Sequence, residues 1–501
     1  MTKVSTLIEK TKSVFKDFAS KSFFQKCDII SFCLLFLFFI DCAFSGGGKW
    51  AEIGPLTLRM VLGGSALLFA LPKFFTNIKT YLKNPIFYMF LAFIVFLGFS
   101  AIRGYLAKNN MGVLISDIKG FMWLFTVPAL VITVDSKARL GKILTAIVIG
   151  AWIQAILVLV IYFSCCTNGQ TIWTFYAPLF NLQLGAVSWV AENVYRIFMR
   201  SNPYLIAACV ILMFRQFHQT KIKWHYILSV SVFLIALLMS FTRSLFGAAF
   251  AVIFVMVVCV CIFYRSKIKM MIKSVLCVVA VALLMISTLE LIYDASYINF
   301  AVARTLGTPV KTSAIVIAKY KIKNIDWNAI FGGEKNPPGN NSDKEILDKL
   351  DKLDNYVDLT DISDNLRAVT KAQLKELIVK NPIIGNGLGA CSARRNGPDE
   401  YFYYDMLARM GIVGLALYVA PFIYICIFIL RRRRLMLENS DSVALICALI
   451  GFWFVTWFNP WMNAALGIAV YALSCSTVNV FKTSDSTTDS ITTTDDSECN
   501  N

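Results

Sequence analysis

The hydrophobic positions of this 501-residue chain fall in long unbroken blocks, not in the one-sided stripes of soluble helices. A helix that crosses a bilayer needs roughly 20 apolar residues. About twelve blocks meet or approach that length, near residues 29–44, 54–71, 85–102, 113–134, 143–163, 202–214, 227–239, 244–263, 271–291, 411–430, 443–458 and 463–480. Hydrocarbon offers no partner to a bare peptide group, so segments of this kind close their hydrogen bonds as helices. A β-barrel would need shorter segments that alternate polar and apolar positions. The pattern predicts an all-α polytopic membrane protein with about 12 transmembrane helices.

The polar gaps between blocks give the predicted orientation. Lys3, Lys10, Lys12, Lys16, Lys21 and Lys26 precede the first block. Alternate gaps then carry Lys73, Lys79 and Lys83; Lys137, Arg139 and Lys142; Arg215, Lys221 and Lys223; Arg265, Lys267, Lys269 and Lys273; and finally Arg431 to Arg434. Basic gaps lie on the cytoplasmic side. Both termini are therefore expected inside, and the long polar stretch between the ninth and tenth helices outside. The expected divisions are a cytoplasmic segment 1–27, helices one to nine over 28–291, a large extracytoplasmic loop 292–404, helices ten to twelve over 405–481, and a disordered Ser/Thr/Asp-rich cytoplasmic tail 482–501. No small-residue cleavage site follows the first block, which is expected to remain as an anchor.

Inside the large loop, Pro337, Pro338, Gly339, Asn340 and Asn341 form a breaker, and helical patterns follow over 344–356 and 366–380. The second ends at Asn381-Pro382, a stop signal. A shorter outer segment, 165–200, is rich in aromatic residues (Trp173, Phe175, Tyr176, Trp189, Tyr195), as suits chain lying at a membrane interface.

Composition sharpens this picture. Only 16% of residues are charged against 57% hydrophobic, whereas soluble chains carry about a quarter charged, so lipid is the main solvent. The net charge of +17 is accounted for by topology signals and attraction to anionic membrane lipids, with no nucleic acid partner required. Most of the fourteen cysteines lie in apolar blocks, where they act as small hydrophobes; Cys165, Cys166 and Cys391 fall in outer segments, which leaves a disulfide open. No cysteine pair has zinc-ligand spacing with histidine, and no metal or cofactor is expected. His218 and His225 both fall near a cytoplasmic gap, so chemistry on the outer face has to proceed without histidine.

Several short motifs then share one order along the chain. The segment 381–389, Asn-Pro-Ile-Ile-Gly-Asn-Gly-Leu-Gly, is followed by Glu400-Tyr-Phe-Tyr-Tyr-Asp and the run into Gly411 and Gly414. Upstream stand Arg196 with Asn202-Pro203, Ser240-Phe-Thr-Arg243, and Arg367. Together with a large outer loop after the ninth helix, they resemble the O-antigen ligase and polymerase superfamily. The motif resemblance covers roughly 196–243 and 367–414, and the topology nearly the whole chain. Ligases of that family resemble one another in a His about eleven residues before the glycine of the tenth helix; here Glu400 stands eleven before Gly411. That departure favours the polymerase branch.

The resemblance implies a GT-C-like enzyme of the cytoplasmic membrane, its site facing the periplasm or exterior. It would transfer a glycan from undecaprenyl diphosphate to a sugar hydroxyl, with flippase and chain-length-regulator proteins as companions. Such chemistry needs fixed cations on the diphosphate, a task suited to the planar guanidinium fork. It also needs a base for the acceptor hydroxyl. Arg196, Arg200, Arg243 and Arg367 are the expected diphosphate ligands, with Lys119 a further candidate beside Asp117 in the fourth block. Glu400, with Asp399 as the alternative, is the expected base. Each residue also has a bland reading: Arg243 as a snorkelling helix end, Arg196 and Arg200 as interfacial anchors, Arg367 as a solvated loop residue, Glu400 as a helix cap, and Lys119 as Asp117's structural ion-pair partner. Gly385, Gly387 and Gly389 read as turn formers more than as substrate contacts. Two other classes stay open beside polymerase: a ligase acting on a lipid-A-core-type acceptor, and a multi-pass transporter or export-assembly protein.

Overall fold

The computed structural model describes residue 13 and residues 17–53, 56–169, 171–191, 194–293, 297–298, 359–392, 401–432 and 439–495. Each apolar block falls on a helix. In chain order these are α1 (Phe23–Ser45), α2 (Leu58–Thr76), α3 (Pro85–Leu106), α4 (Met111–Phe121) continued through a 3-10 turn into α5 (Thr126–Thr133), and α6 (Lys137–Thr167). There follow α7 (Thr171–Asn181), α8 (Asn202–Phe217), α9 (Trp224–Leu238), α10 (Arg243–Phe263), α11 (Ile268–Tyr293), α12 (Leu359–Lys380), α13 (Phe402–Arg431), α14 (Ser440–Val455) and α15 (Ala465–Asp495). Among the described residues, eight helical stretches are long and apolar enough to cross a membrane, and four shorter apolar helices, α8, α9, α14 and the 465–481 part of α15, occupy the remaining blocks. The architecture is that of an all-α polytopic membrane protein. Two small antiparallel hairpins accompany the helices: β1 (Glu52–Ile53) with β2 (Leu56–Thr57), and β3 (Gly185–Ala191) with β4 (Val194–Met199).

Local sequence sets the helix starts. Ser22 and Gln25 form a reciprocal capping box at α1. Asn84 accepts from Ile86 N–H ahead of Pro85, and Asn110 accepts from Val113 N–H at the start of α4. The C-terminal part of the outer segment 165–200 folds as the β3–β4 hairpin. Alternation of buried and half-buried positions through Val194–Met199 is what a strand with one covered face requires.

The shorter helices form the centre. Residues 202–208 of α8 and 465–478 of α15 are buried throughout. At 16 residues α8 spans about 24 Å, less than the roughly 30 Å hydrocarbon thickness. Apolar helices gain little by hiding from lipid, so close backbone approach and polar contacts hold such bundles. Gly150 illustrates the first: a Cβ there would lie 2.6 Å from Ala43 Cβ, so only glycine lets α6 meet α1.

Polar contacts gather at the two ends of the bundle. At one end Lys73 bridges Asp28 (3.1 Å) and Asp135 (2.6 Å), while Arg139 pairs with Asp28, joining α1, α2 and α6. Arg215 joins the same end through Asp441 and the Gly141 carbonyl. At the opposite end Arg59 donates to Asp41 (2.7 Å), the Gly46 carbonyl and Ser45 Oγ, and Trp50 Nε1 donates to Asp41 at 2.6 Å. The basic residues Lys73, Arg139 and Arg215, drawn from three alternate gaps, thus share an end.

Candidate functional site

The end opposite Lys73 and Arg139 carries most of the residues that the sequence singles out. Strand β4 meets the end of α9, where Ile197 N–H donates to the Met239 carbonyl, and the residues after it meet the end of α1, where Ser201 Oγ donates to the Phe44 carbonyl. Tyr195, Ile197 and Met199 point into the bundle, leaving Arg196 and Phe198 on the other, half-buried face, and half-buried Arg200 follows at the turn after the strand. Gly46 permits this seating, because a Cβ there would stand 2.7 Å from Arg200 Cβ.

Arg196 Nε donates to the Ser240 carbonyl at 3.0 Å, and its guanidinium lies over the Phe198 ring. This contact brings the hairpin to the turn that contains Arg243. The turn is tightly specified: Ser240 Oγ donates to the Leu237 carbonyl, Thr242 Oγ1 to that of Ser240, and Phe241 has a left-handed φ of 45°. A bulky residue adopts that φ only under constraint, here a stack of the buried Phe241 ring on Tyr297. Arg243 begins α10 and is exposed.

Arg200 has a different environment. Its Nη1 reaches Gln183 Oε1 at 3.5 Å, and no carboxylate among the described residues pairs with it. Burial holds its guanidinium below the usual arginine range, with no anion to offset the effect. Burial likewise pushes the neighbouring Tyr195 phenol up to about 12.

The second feature is the glycine loop after α12. Gly385, Gly387 and Gly389 have φ of 72°, 89° and 80°, and Gly411 inside α13 has φ 65° and ψ −169°. In an intact helix Ile412 and Val413 would donate to Ala408 and Arg409. Instead they donate to the Pro382 and Ile383 carbonyls, while Ala408 and Arg409 accept from Asn386 and Gly387 N–H. The loop is spliced into the helix at its break, and each backbone group finds a substitute partner. Asn109 Nδ2 spans the Asn386 and Leu388 carbonyls, tying α3 to the loop.

Beneath the loop lies a buried ionic group. Arg409 pairs with Asp117, places Nη2 2.7 Å from Asp405 Oδ1 without hydrogen-bond alignment, and donates from Nε to the Ala390 carbonyl at 2.9 Å. Gly389 N–H donates to the other Asp117 oxygen at 2.9 Å. This corrects one expectation: Asp117 pairs with Arg409, not Lys119, whose side chain is exposed. Residues two apart on a helix face different directions, which is why the neighbours in sequence do not meet. The Asp405–Arg409 spacing of four, inside an apolar run, is the signal from which the group was legible.

Arg367 lies within α12, which begins at Leu359, so it is an interior helix residue and not the first. Its neighbour Lys371 places Nζ over the Tyr404 ring, joining α12 to α13. Asp399 and Glu400 lie outside the described residues, and the chain resumes at Tyr401. The two features are bridged by the end of α14: Asn459 Nδ2 donates to Ser244 Oγ at 3.4 Å, and the Tyr403 ring meets Trp457 while its hydroxyl donates to the Trp453 carbonyl. Arg196 is therefore bonded to the turn that leads to Arg243, Arg200 directly follows the strand of Arg196, and Ser244 beside Arg243 connects through the end of α14 to the start of α13. Lys119 stands apart from these contacts. No protein-family model matches this chain, and no curated protein is significantly similar to it.

Proposed function

We propose that this protein is a polymerase of lipid-linked oligosaccharide repeat units, of the O-antigen ligase and polymerase type. It would act at the outer face of the cytoplasmic membrane, with twelve crossings, both termini inside, and the end bearing β4 outside. The observation that carries this reading is Arg200, a half-buried guanidinium with no carboxylate partner among the described residues, directly after the strand that carries Arg196. A buried cation of this kind is satisfied by an anionic ligand, and a diphosphate matches the guanidinium fork.

In this reading Arg196, Arg200 and Arg243 hold the carrier diphosphate and stabilise the charge that develops as it leaves. Glu400, or Asp399 beside it, takes the proton of the acceptor hydroxyl. The new glycosidic bond forms as the bond from the sugar to the carrier phosphate breaks. Arg367 contributes from α12, and no metal is assigned a role.

Purified protein in lipid, supplied with polyprenyl-diphosphate-linked repeat units, tests the reading. Elongated polymer supports it. Transfer to a lipid-A-core-type acceptor without elongation makes the protein a ligase, and absence of any new glycosidic bond removes both in favour of transport or assembly.

A further inference from the structure

The three glycines that follow α1, Gly46, Gly47 and Gly48, stand between a buried ion pair and Arg200. On one side is Arg59, near the start of α2. It donates from Nε to Asp41 Oδ2 at 2.7 Å, from Nη1 to the Gly46 carbonyl at 2.9 Å and from Nη2 to Ser45 Oγ at 2.8 Å. Ser45 Oγ donates in turn to Asp41 Oδ1 at 2.9 Å, which closes the group. The Arg59 and Asp41 side chains are 3% and 4% exposed, and each guanidinium nitrogen of Arg59 already has a protein acceptor. Arg59 is thus enclosed too deeply to touch a ligand itself. Gly48 lies against its guanidinium, where a Cβ would come within 3.3 Å of Cζ.

On its other side the same turn seats the residues around Arg200. Gly47 N–H donates to the Gln183 carbonyl at 3.0 Å, and a Cβ on Gly47 would stand 2.5 Å from Gln183 Cβ. Gln183 has a left-handed φ of 53° and offers Oε1 to Arg200 Nη1. The next carbonyl, that of Leu184, accepts Arg200 N–H at 2.9 Å. Gly46 backs directly onto Cα and Cβ of Arg200. A displaced turn would therefore carry with it the supports of both the Arg200 backbone and its side chain.

We propose that Arg59, held by Asp41, is a positioning residue for Arg200: it fixes the Gly46–Gly48 turn and, through that turn, the direction in which the Arg200 guanidinium meets an anion. The inference rests on the proposed reading of Arg200 as a diphosphate ligand and adds the residues that aim it. A guanidinium fork binds phosphate oxygens well only when its plane is set beforehand, and a half-buried arginine with one long contact, 3.5 Å to Gln183, does not set itself. The buried pair supplies the rigidity from one shell further in, on an element that never meets the ligand.

The experiment measures binding of a polyprenyl-diphosphate-linked repeat unit to the full chain in nanodiscs, for native protein, Arg59→Lys, Arg200→Gln and the double variant. Lysine still pairs with Asp41 but does not span Asp41, Ser45 and the Gly46 carbonyl at once. Each single change is expected to weaken binding by about tenfold. The double variant should bind no worse than Arg200→Gln alone, because Arg59 acts only through Arg200; a merely structural role would make the two losses multiply. Trp50→Phe is the control, since it removes the hydrogen bond to Asp41 and leaves the Gly46 link, so binding should stay native. Gly47→Ala is a second route that leaves the ion pair in place and presses on Gln183, and it should reproduce the loss and its dependence on Arg200. Native binding in both Arg59→Lys and Gly47→Ala, or losses that multiply in the double variant, overturns the positioning role and leaves the polymerase reading standing. A loss in Trp50→Phe equal to that in Arg59→Lys makes the pair a general support and also overturns it. Native binding in Arg200→Gln overturns both, because Arg200 is then no diphosphate ligand.

Discussion

Arg409 on α13 is ion-paired with Asp117 on α4, and each of the two also holds one backbone atom of the glycine loop. The pair is almost wholly buried, with 3% and 1% of the side chains exposed. Asp117 receives Gly389 N–H, and Arg409 donates to the adjacent Ala390 carbonyl, so the ionic group fixes the chain just before the segment that leads to Asp399 and Glu400.

Removing one partner should be costly. Asp117→Asn removes one carboxylate partner of Arg409 while Asp405 stays beside it, and destabilisation at the low end of the roughly 3–5 kcal/mol for a broken buried pair is expected. The double variant Asp117→Leu, Arg409→Leu should not recover native stability, although apolar replacement of buried pairs is often neutral. It strands Gly389 N–H and the Ala390 carbonyl, at about 1–3 kcal/mol each, and takes the Arg409 cation away from Asp405. Thermal unfolding in detergent measures both; a double variant as stable as native protein would show that the loop does not depend on the pair.

The spliced loop makes a sharper prediction. Alanine at Gly385, Gly387 or Gly411 must hold a left-handed φ, costing about 1–2 kcal/mol. It also drives a Cβ into the backbone of Arg409, Gly104 or Ile383 respectively. Each variant should lower the melting temperature and expose α12 to protease. Gly64→Ala and Gly98→Ala, where a Cβ meets nothing within 4 Å, are the controls, expected to be neutral or to gain up to about 1 kcal/mol from helix propensity.

The helices were legible in the sequence because length and uninterrupted hydrophobicity decide them, as for 143–163 within α6 or 271–291 within α11. The Arg196 to Arg243 relationship was less so, since it depends on a strand: period-2 alternation over Val194–Met199 is too short to stand out beside apolar blocks. The glycine loop was recognisable as a turn, but its partner was not, because nothing local announces that Gly411 breaks α13 to admit it. Long-range pairs such as Asp41 with Arg59 and Asp117 with Arg409 require knowing which helices touch, and hydropathy is silent on that.

Arg200 should behave unlike an anchor. A half-buried cation without a carboxylate partner among the described residues destabilises the empty protein, so Arg200→Gln is expected to melt at the same or a higher temperature in the absence of substrate. The same change should abolish polymer formation, and Arg200→Lys or Arg243→Lys should impair it, because a point charge does not reproduce bidentate contact. Full activity in Arg200→Gln together with Arg243→Lys would move the diphosphate site elsewhere.

Orientation is testable independently of chemistry. A cysteine introduced at Asn340 should react with an impermeant maleimide in intact cells, and one at Lys269 only after permeabilisation. The reverse pattern would invert the bundle and remove the outer-face reading with it.

Glu400 is the remaining expectation, and its position frames the chemistry. It precedes Tyr401, whose carbonyl accepts from Asp405 N–H at the first turn of α13, and it stands eleven residues before the break at Gly411. Both histidines lie at the turn between α8 and α9, opposite the helix ends that meet β4, so in the proposed reaction the proton of an acceptor hydroxyl would pass to a carboxylate or to the substrate. At an unperturbed pKa of about 4.3 a glutamate is a weak base, and partial desolvation raises it toward the useful range while neighbouring arginines oppose that shift. Glu400→Gln keeps size and hydrogen bonding and removes basicity, so turnover should fall by on the order of 10² to 10⁴ with binding of the lipid-linked donor preserved. Near-normal turnover in Glu400→Gln with loss in Asp399→Asn would assign the proton to Asp399. Should both variants polymerise normally, neither carboxylate is the base, and the proton leaves through the diphosphate itself.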